Sequence, residues 1–222
     1  MSHAALMDQV YRHQRYLYDF TRKYYLLGRD ELIQNLRLRG DDRVVEVGCG
    51  TARNLIKIAR LHPGVRLFGI DASQEMLLTA RKAIRRAGLE DRIILAQGLA
   101  EELSPRLFGE EAFDAVLFSY SLSMIADWDS ALTAAGAALS SRGAIHIVDF
   151  GDLKGLPPAG ERLLRRWLGL FHVEPRGELL AGLESWTGQS GGTSLHIFAG
   201  RYAFMLSCPG QESLPASSAV AV

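Results

Sequence analysis

The stretch VVEVGCGTARNL, residues 44–55, decides the fold. An apolar strand pattern, RVVEV (43–47), runs straight into Gly48-Cys49-Gly50-Thr51 and then into a helix over 52–61, closed by His62-Pro63-Gly64. The same unit recurs downstream. RLFGI (66–70) reads as a second strand, followed by a helix from Ser73, with Gln74-Glu75 in its first turn, to Ala87-Gly88. RIILAQ (92–97), FDAVLFSY (113–120) and AIHIVDF (144–150) are further strands, and 128–139 is an Ala-rich helix. Short apolar runs alternating with helices predict right-handed βαβ units, hence a parallel sheet with helices on both faces.

The rhythm changes after residue 151. Pro157-Pro158 leads to a basic amphipathic helix at about 160–171, and a second helix follows near 176–185. SLHIF and YAFML, separated only by Ala199-Gly200-Arg201, demand an antiparallel hairpin. Ahead of the first strand, residues 4–38 carry two helix-like segments rich in Tyr and Arg, broken near Gly28. From Pro209 the chain is small and polar, with the composition of a disordered tail.

The turn itself speaks about its ligand. Glycines between a first strand and a helix let the backbone approach a bound molecule closely. A dinucleotide fingerprint has a third glycine, which packs helix on strand and seats a pyrophosphate on the helix N-terminus. Here that position is Arg53, which argues against a diphosphate. Asp71 closes the second strand where a carboxylate can accept both hydroxyls of a ribose. Glu46, just before the turn, repels phosphate and suits an ammonium. A ribose, an adenine and an amino-acid ammonium together describe S-adenosylmethionine.

EVGCGTARNL with FGIDASQEML resembles the first two motifs of the class I S-adenosylmethionine-dependent methyltransferases, and the likeness extends over about residues 40–206. The resemblance implies an α/β Rossmann-like sandwich: a mostly parallel seven-stranded sheet closed by a C-terminal antiparallel hairpin. It also implies an N-terminal helical lid over 1–40, a methyltransferase domain over 41–207 and the tail over 208–222. Carried over residue by residue, Glu46, Gly48, Cys49, Gly50 and Thr51 line the methionine part. Asp71 holds the ribose, with Ala72 and Met76 beside the adenine and Gln97, Gly98 and Leu99 at its edge. Ser119 and Tyr120 end the fourth strand, facing cofactor and acceptor. Relatives that methylate planar amides carry Asn/Asp-Pro-Pro-aromatic there, whereas this chain has Ser119-Tyr120-Ser121-Leu122.

Three further segments, YRHQRYLYDFTRKYYLLGRDELI (11–33), SYSLSMIADW (119–128) and HIVDFGDLKGLP (146–157), are similar to the bacterial betaine-lipid N-methyltransferases. Those enzymes convert diacylglyceryl-homoserine to its trimethylated form at a membrane surface. The implied reaction is successive N-methylation of a homoserine-type headgroup, releasing S-adenosylhomocysteine. Alternatives are methylation of a small soluble amine or of a quinone-precursor ring carbon, or a protein that binds S-adenosylmethionine without catalysis.

Chemistry supports an amine acceptor independently. An α-amino group has a pKa of ~7.7–8.0, so an appreciable fraction is already neutral at cellular pH and a strong base is optional. Aromatic faces attract the cations on both sides of the transfer by ~0.5–2 kcal/mol each. Tyr11, Tyr16, Tyr18, Tyr24 and Tyr25 are five of the chain's 7 tyrosines. Tyr18 and Lys23 are expected beside the cofactor, and Tyr25 and Tyr120 at the reacting centre. Asp149, ending its strand, is expected to accept a proton from the amine. Arg29 is a weaker candidate for the cofactor carboxylate, and His146, inside a strand, reads as structural.

Composition sets the outer bounds. With 222 residues and 48% apolar content, one large domain has a sizeable core. Lys+Arg and Asp+Glu balance at 25 each, so no overall field draws the chain to nucleic acid. Two distant cysteines suggest a reducing cytoplasm. No cluster has metal-ligand spacing, and no metal is expected. No apolar run approaches the ~20 residues of a membrane span. GERLLRRWLGLF (160–171) instead places Leu163, Leu164, Trp167, Leu168 and Phe171 on one face bordered by Arg162, Arg165 and Arg166. Such a face suits transient contact with the anionic inner surface of a membrane, or else covers the sheet.

Overall fold

The computed structural model describes residues 26–169, 175, 177–187 and 192–210. Its seven strands are β1 (Arg43–Val47), β2 (Arg66–Asp71), β3 (Ile93–Gln97), β4 (Phe113–Ser119), β5 (Leu139–Phe150), β6 (Ser194–Phe198) and β7 (Ala203–Pro209). They form one sheet in the order β3-β2-β1-β4-β5-β7-β6. β1 to β5 pair in parallel. β7 runs antiparallel between β5 and β6. The expected hairpin and parallel sheet are both present.

Helices cover both faces, as the alternating apolar runs require. On one face lie α1 (Arg29–Asn35), α2 (Arg53–Leu61), α3 (Gln74–Ala87) and α5 (Pro158–Gly169). They bury Leu32, Ile33, Leu55, Ile58, Leu77, Ile84 and Leu168 against Val44, Leu67, Leu117 and Val148. On the other lie α4 (Trp128–Ala137) and α6 (Gly177–Thr187), whose Ala131, Leu132, Ala135, Leu179, Leu180 and Leu183 pack on Val45, Phe68, Val116 and Phe204. Each such large side chain contributes ~1.5–3 kcal/mol on leaving water. Local chemistry fixes the helix ends: Ser73 accepts the Met76 N–H at the start of α3, and Gly88 in the left-handed region ends it.

Three expectations are corrected. The part of the anticipated lid that is described, 26–40, contains α1, and Leu32, Ile33 and Leu36 are 0–4% exposed. That helix is core, because its short apolar stripe has the sheet to cover. The anticipated tail begins later than 208: Cys208 and Pro209 belong to β7, paired with Ile145 and Ala144, and Cys208 is buried. β5 starts at Leu139, which pairs with Phe113 before an irregularity that resumes at Ala115 and Ala144. The polar run Ser140-Ser141-Arg142-Gly143 therefore belongs to a strand expected to begin at Ala144.

Candidate functional site

Strand order reverses between β1 and β4, so the connections leaving these two strands diverge and open a crevice at their carboxyl ends. One crevice of about 210 Å³ is walled by Gly48, Asp71, Ala72, Met76, Leu99 and Ser121, with Tyr120, Met124 and Ile125 completing it. A second, of about 460 Å³, adjoins it through Gly48 and Gly50 and is lined by Arg29, Glu46, Thr51, Asn54 and Ser119. A larger hollow of about 750 Å³ lies at the opposite strand ends, around Asp42, Asp114, His146 and Ser207. Neither the glycine turn nor the carboxyl end of a parallel strand reaches it.

The glycine turn is needed for geometric reasons. Gly48 and Gly50 have φ of 71° and 54°. A Cβ on Gly48 would lie 2.6 Å from Ser121 Cβ, so the turn after β1 presses directly on the end of β4. Ala52 also holds a left-handed φ of 61° before α2 begins at Arg53. The Arg53 guanidinium reaches Asp30 at 2.9 Å, linking α2 to α1. With Lys57 at 3.0 Å it holds the Asp30 carboxyl at a pKa of about 2.

Two carboxylates frame the turn. Asp71 Oδ2 accepts the Gly50 N–H at 2.7 Å and Oδ1 accepts the Ser73 N–H at 2.9 Å, and a carboxylate oxygen can accept more than one bond. Glu46 is 2% exposed, and its Oε1 accepts the Asn54 amide at 2.6 Å. Arg29, 9% exposed, lines the same cavity as Glu46. A buried cation and a buried anion in one hollow match the carboxylate and ammonium of an amino acid.

The remaining expected residues divide clearly. Gly98 and Leu99 line the smaller crevice, but Gln97 lines neither; its side-chain amide turns to the Ala72 carbonyl at 3.3 Å. Cys49 lines the larger cavity, yet its sulfur lies against Gly69, 2.8 Å from where a Cβ would stand. Burial pushes its thiol pKa well up. Tyr120 lines the crevice, but its hydroxyl donates to the Leu27 carbonyl at 2.7 Å, and burial raises its pKa further. Its ring stands edge-on to Phe150 at 4.7 Å.

Asp149 is 1% exposed and lines neither crevice. Its carboxylate accepts the Ser123 and Phe150 N–H groups at 3.1 and 2.8 Å. Burial drives its pKa up to about 6 against these bonds. The expected role of proton acceptor for a substrate therefore does not fit its place, which is internal support for the turn after β4. Tyr18, Lys23 and Tyr25 lie outside the described residues. Of His146, Nδ1 sits 2.9 Å from Ser207 Oγ, and burial lowers its pKa to about 4. Sequence reading missed Asn54, Ser121, Met124 and Ile125. For Asn54 the signal was a polar side chain on the buried face of α2's first turn.

Residues 44–143 match the family described as a methyltransferase domain. The chain is 33% identical over 126 residues to a phosphatidylethanolamine N-methyltransferase of Cereibacter sphaeroides, covering 56% of this chain and 59% of that protein. It is 26% identical over 155 residues to a demethylmenaquinone methyltransferase of Lactobacillus johnsonii, covering 69% and 60%. The chain thus spans about three fifths of the length of these two relatives. In fold it resembles the S-adenosylmethionine-dependent methyltransferase SibL, with a TM-score of 0.61 at 22% identity over 87% of this chain and 56% of that one. The match to a methyltransferase domain covers residues 44–143, and the sheet has the fold of that S-adenosylmethionine-dependent neighbour. The residues present fit that cofactor: Asp71 for a ribose diol, the apolar crevice for adenine, and Arg29 with Glu46 for the amino-acid end.

Proposed function

We propose that the protein N-methylates an amine on a glycerolipid headgroup of the homoserine type, in successive transfers ending at the trimethylated betaine. When bound, S-adenosylmethionine supplies an electrophilic methyl group on a sulfonium. The observation that carries the reading is the neutral wall at the junction of the two cavities. Ser119, Tyr120 and Ser121 form it, Tyr120 gives its hydroxyl to Leu27, and Asp149 is sealed beneath. Among the described residues this wall offers no base, which suits a nucleophile that is already neutral. An amine meets that condition in its unprotonated fraction, which water alone can supply; a ring carbon or phenol needs a base. The chain's own residues then act by orienting the acceptor and excluding water.

A lipid source for the amine is supported by the likeness to the phosphatidylethanolamine enzyme and by α5. On that helix Leu164, Trp167 and Leu168 pack on the core, while Leu163 is 72% exposed beside the exposed Arg162 and Arg166. Arg165 is bound to the Asp152 carbonyl and to Glu161. The helix thus covers the sheet and still presents an apolar residue with two cations to an anionic headgroup surface. No helix among the described residues is long and apolar enough to cross a membrane. Incubation with methyl-labelled cofactor and a panel of diacylglyceryl-homoserine, phosphatidylethanolamine, small soluble amines and a quinone precursor tests the reading. Label in the homoserine lipid is expected; label confined to the soluble amines or to the quinone precursor would overturn it.

A further inference from the structure

The hydroxyls of Ser119 and Ser121 are buried, with residue exposures of 9% and 7%, and neither makes a hydrogen bond. Proteins rarely leave buried hydroxyls unpaired, so each such group asks for a missing partner. The two flank Tyr120, whose φ of 56° bends the chain as β4 ends. Ser119 faces the larger cavity and Ser121 the smaller. Gly48 belongs to both cavities and touches Ser121, so the two hydroxyls stand on either side of one seam.

We propose that Ser119 and Ser121 hold the acceptor nitrogen at this seam by accepting its N–H bonds, so that their importance falls with each methyl added. The inference rests on the amine-acceptor reading. In each transfer the nitrogen lone pair forms a bond to the methyl carbon as the carbon–sulfur bond breaks and its electron pair leaves on sulfur. The ammonium so formed releases a proton to water before the next round. A neutral primary amine offers two N–H donors, enough to engage both hydroxyls and leave the lone pair free. A secondary amine offers one, and a tertiary amine none. Ser119 and Ser121 are therefore positioning residues for the first two transfers and have no hold on the third.

Ser123 supplies an internal control. Its hydroxyl is also buried, at 2% residue exposure, but it lines neither cavity and lies against the Asp149 carboxylate. Binding is measured by calorimetry with S-adenosylhomocysteine present, using short-chain diacylglyceryl-homoserine and its N-trimethyl counterpart in the same detergent. Ser119→Ala and Ser121→Ala should each bind the primary amine roughly three- to tenfold more weakly and the trimethylated lipid unchanged. Ser123→Ala should match the parent protein for both. In turnover, the two cavity variants should slow the first two steps and leave the third untouched. Equal losses for both lipids, no loss for either, or a parallel loss of S-adenosylhomocysteine affinity would each overturn the assignment. If the parent protein bound S-adenosylhomocysteine but neither lipid, the amine-lipid reading itself would fall.

Discussion

The carboxylate of Asp71 receives the backbone N–H of Gly50 at 2.7 Å, tying the end of β2 to the turn after β1. A second bond, from the Ser73 N–H at 2.9 Å, fixes its other oxygen. Asp71→Ala should therefore weaken S-adenosylmethionine binding by ~1–3 kcal/mol through lost charge-assisted bonds, and lower the melting temperature as well. Asp71→Asn keeps one acceptor oxygen and should fold better while still binding weakly. Calorimetry decides: unaltered affinity in a folded Asp71→Ala protein would remove Asp71 from the ribose.

NAD should not bind. Arg53 occupies the position of the third glycine and is held outward by Asp30, and the buried Glu46 opposes a diphosphate. A micromolar dissociation constant for NAD by fluorescence titration would refute this.

Gly48 and Gly88 separate two costs of the same backbone conformation. Both have positive φ, 71° and 66°, but a Cβ on Gly48 meets Ser121 at 2.6 Å, while nothing lies within 4 Å at Gly88. Gly88→Ala should cost ~1 kcal/mol of stability, from the left-handed backbone alone. Gly48→Ala should cost ~1–3 kcal/mol more, since the end of β4 must give way. Chemical denaturation midpoints measure both, and equal losses would mean that the turn yields freely.

Asp149 gives the stability a pH dependence of definite sign. Burial raises its folded pKa from 3.8 to about 6, so between these values the folded protein binds more protons than the unfolded chain. Its contribution is full below pH ~4 and is lost as pH rises through about 6, amounting to on the order of 2–3 kcal/mol. Asp149→Asn should flatten that part of the stability profile relative to the parent protein. A profile parallel to the parent's between pH 4 and 6 would show that the carboxyl titrates normally.

Leu163 tests contact with lipid without disturbing the core. It is 72% exposed, whereas Leu168 on the same helix is 1% exposed. Leu163→Asp should reduce binding to vesicles containing anionic lipid in a sedimentation assay, with the melting temperature nearly unchanged. Leu168→Ala should instead cost ~2–5 kcal/mol of stability. Undiminished vesicle binding by Leu163→Asp would leave α5 as a cover for the sheet alone.

The motif residues were legible because they sit where sequence and topology coincide. Gly48, Gly50, Asp71, Ala72, Met76, Gly98 and Leu99 all follow or end strands at the same edge of the sheet, and the crevice gathers them. Gln97 failed on direction: an exposed residue at the end of the edge strand β3 turns to the nearest carbonyl. Asp149 failed on depth, since position at a strand end does not reveal whether a side chain opens outward or is sealed under the turn from β4. Ser121, Met124 and Ile125 were hidden because the turn holding them has no periodic pattern. Only its contact with Gly48, more than 70 residues earlier in sequence, brings it to the crevice. α1 misled for a related reason: seven residues with two apolar positions look like a loose appendage until the sheet supplies their neighbours.

The placement of β7 between β5 and β6 also constrains how the chain can fold as it is made. Until residues 203–209 have left the ribosome, β5 has an open edge along Ala144–Phe150, and β6 has no strand to join. That edge carries Ile145, Ile147 and Val148, which are 0–3% exposed once β7 is seated. A nascent chain stalled before residue 203 thus presents a long apolar edge of the kind that pairs with other chains. The sheet therefore closes only once β7 is available, when that strand inserts between two that precede it in the chain.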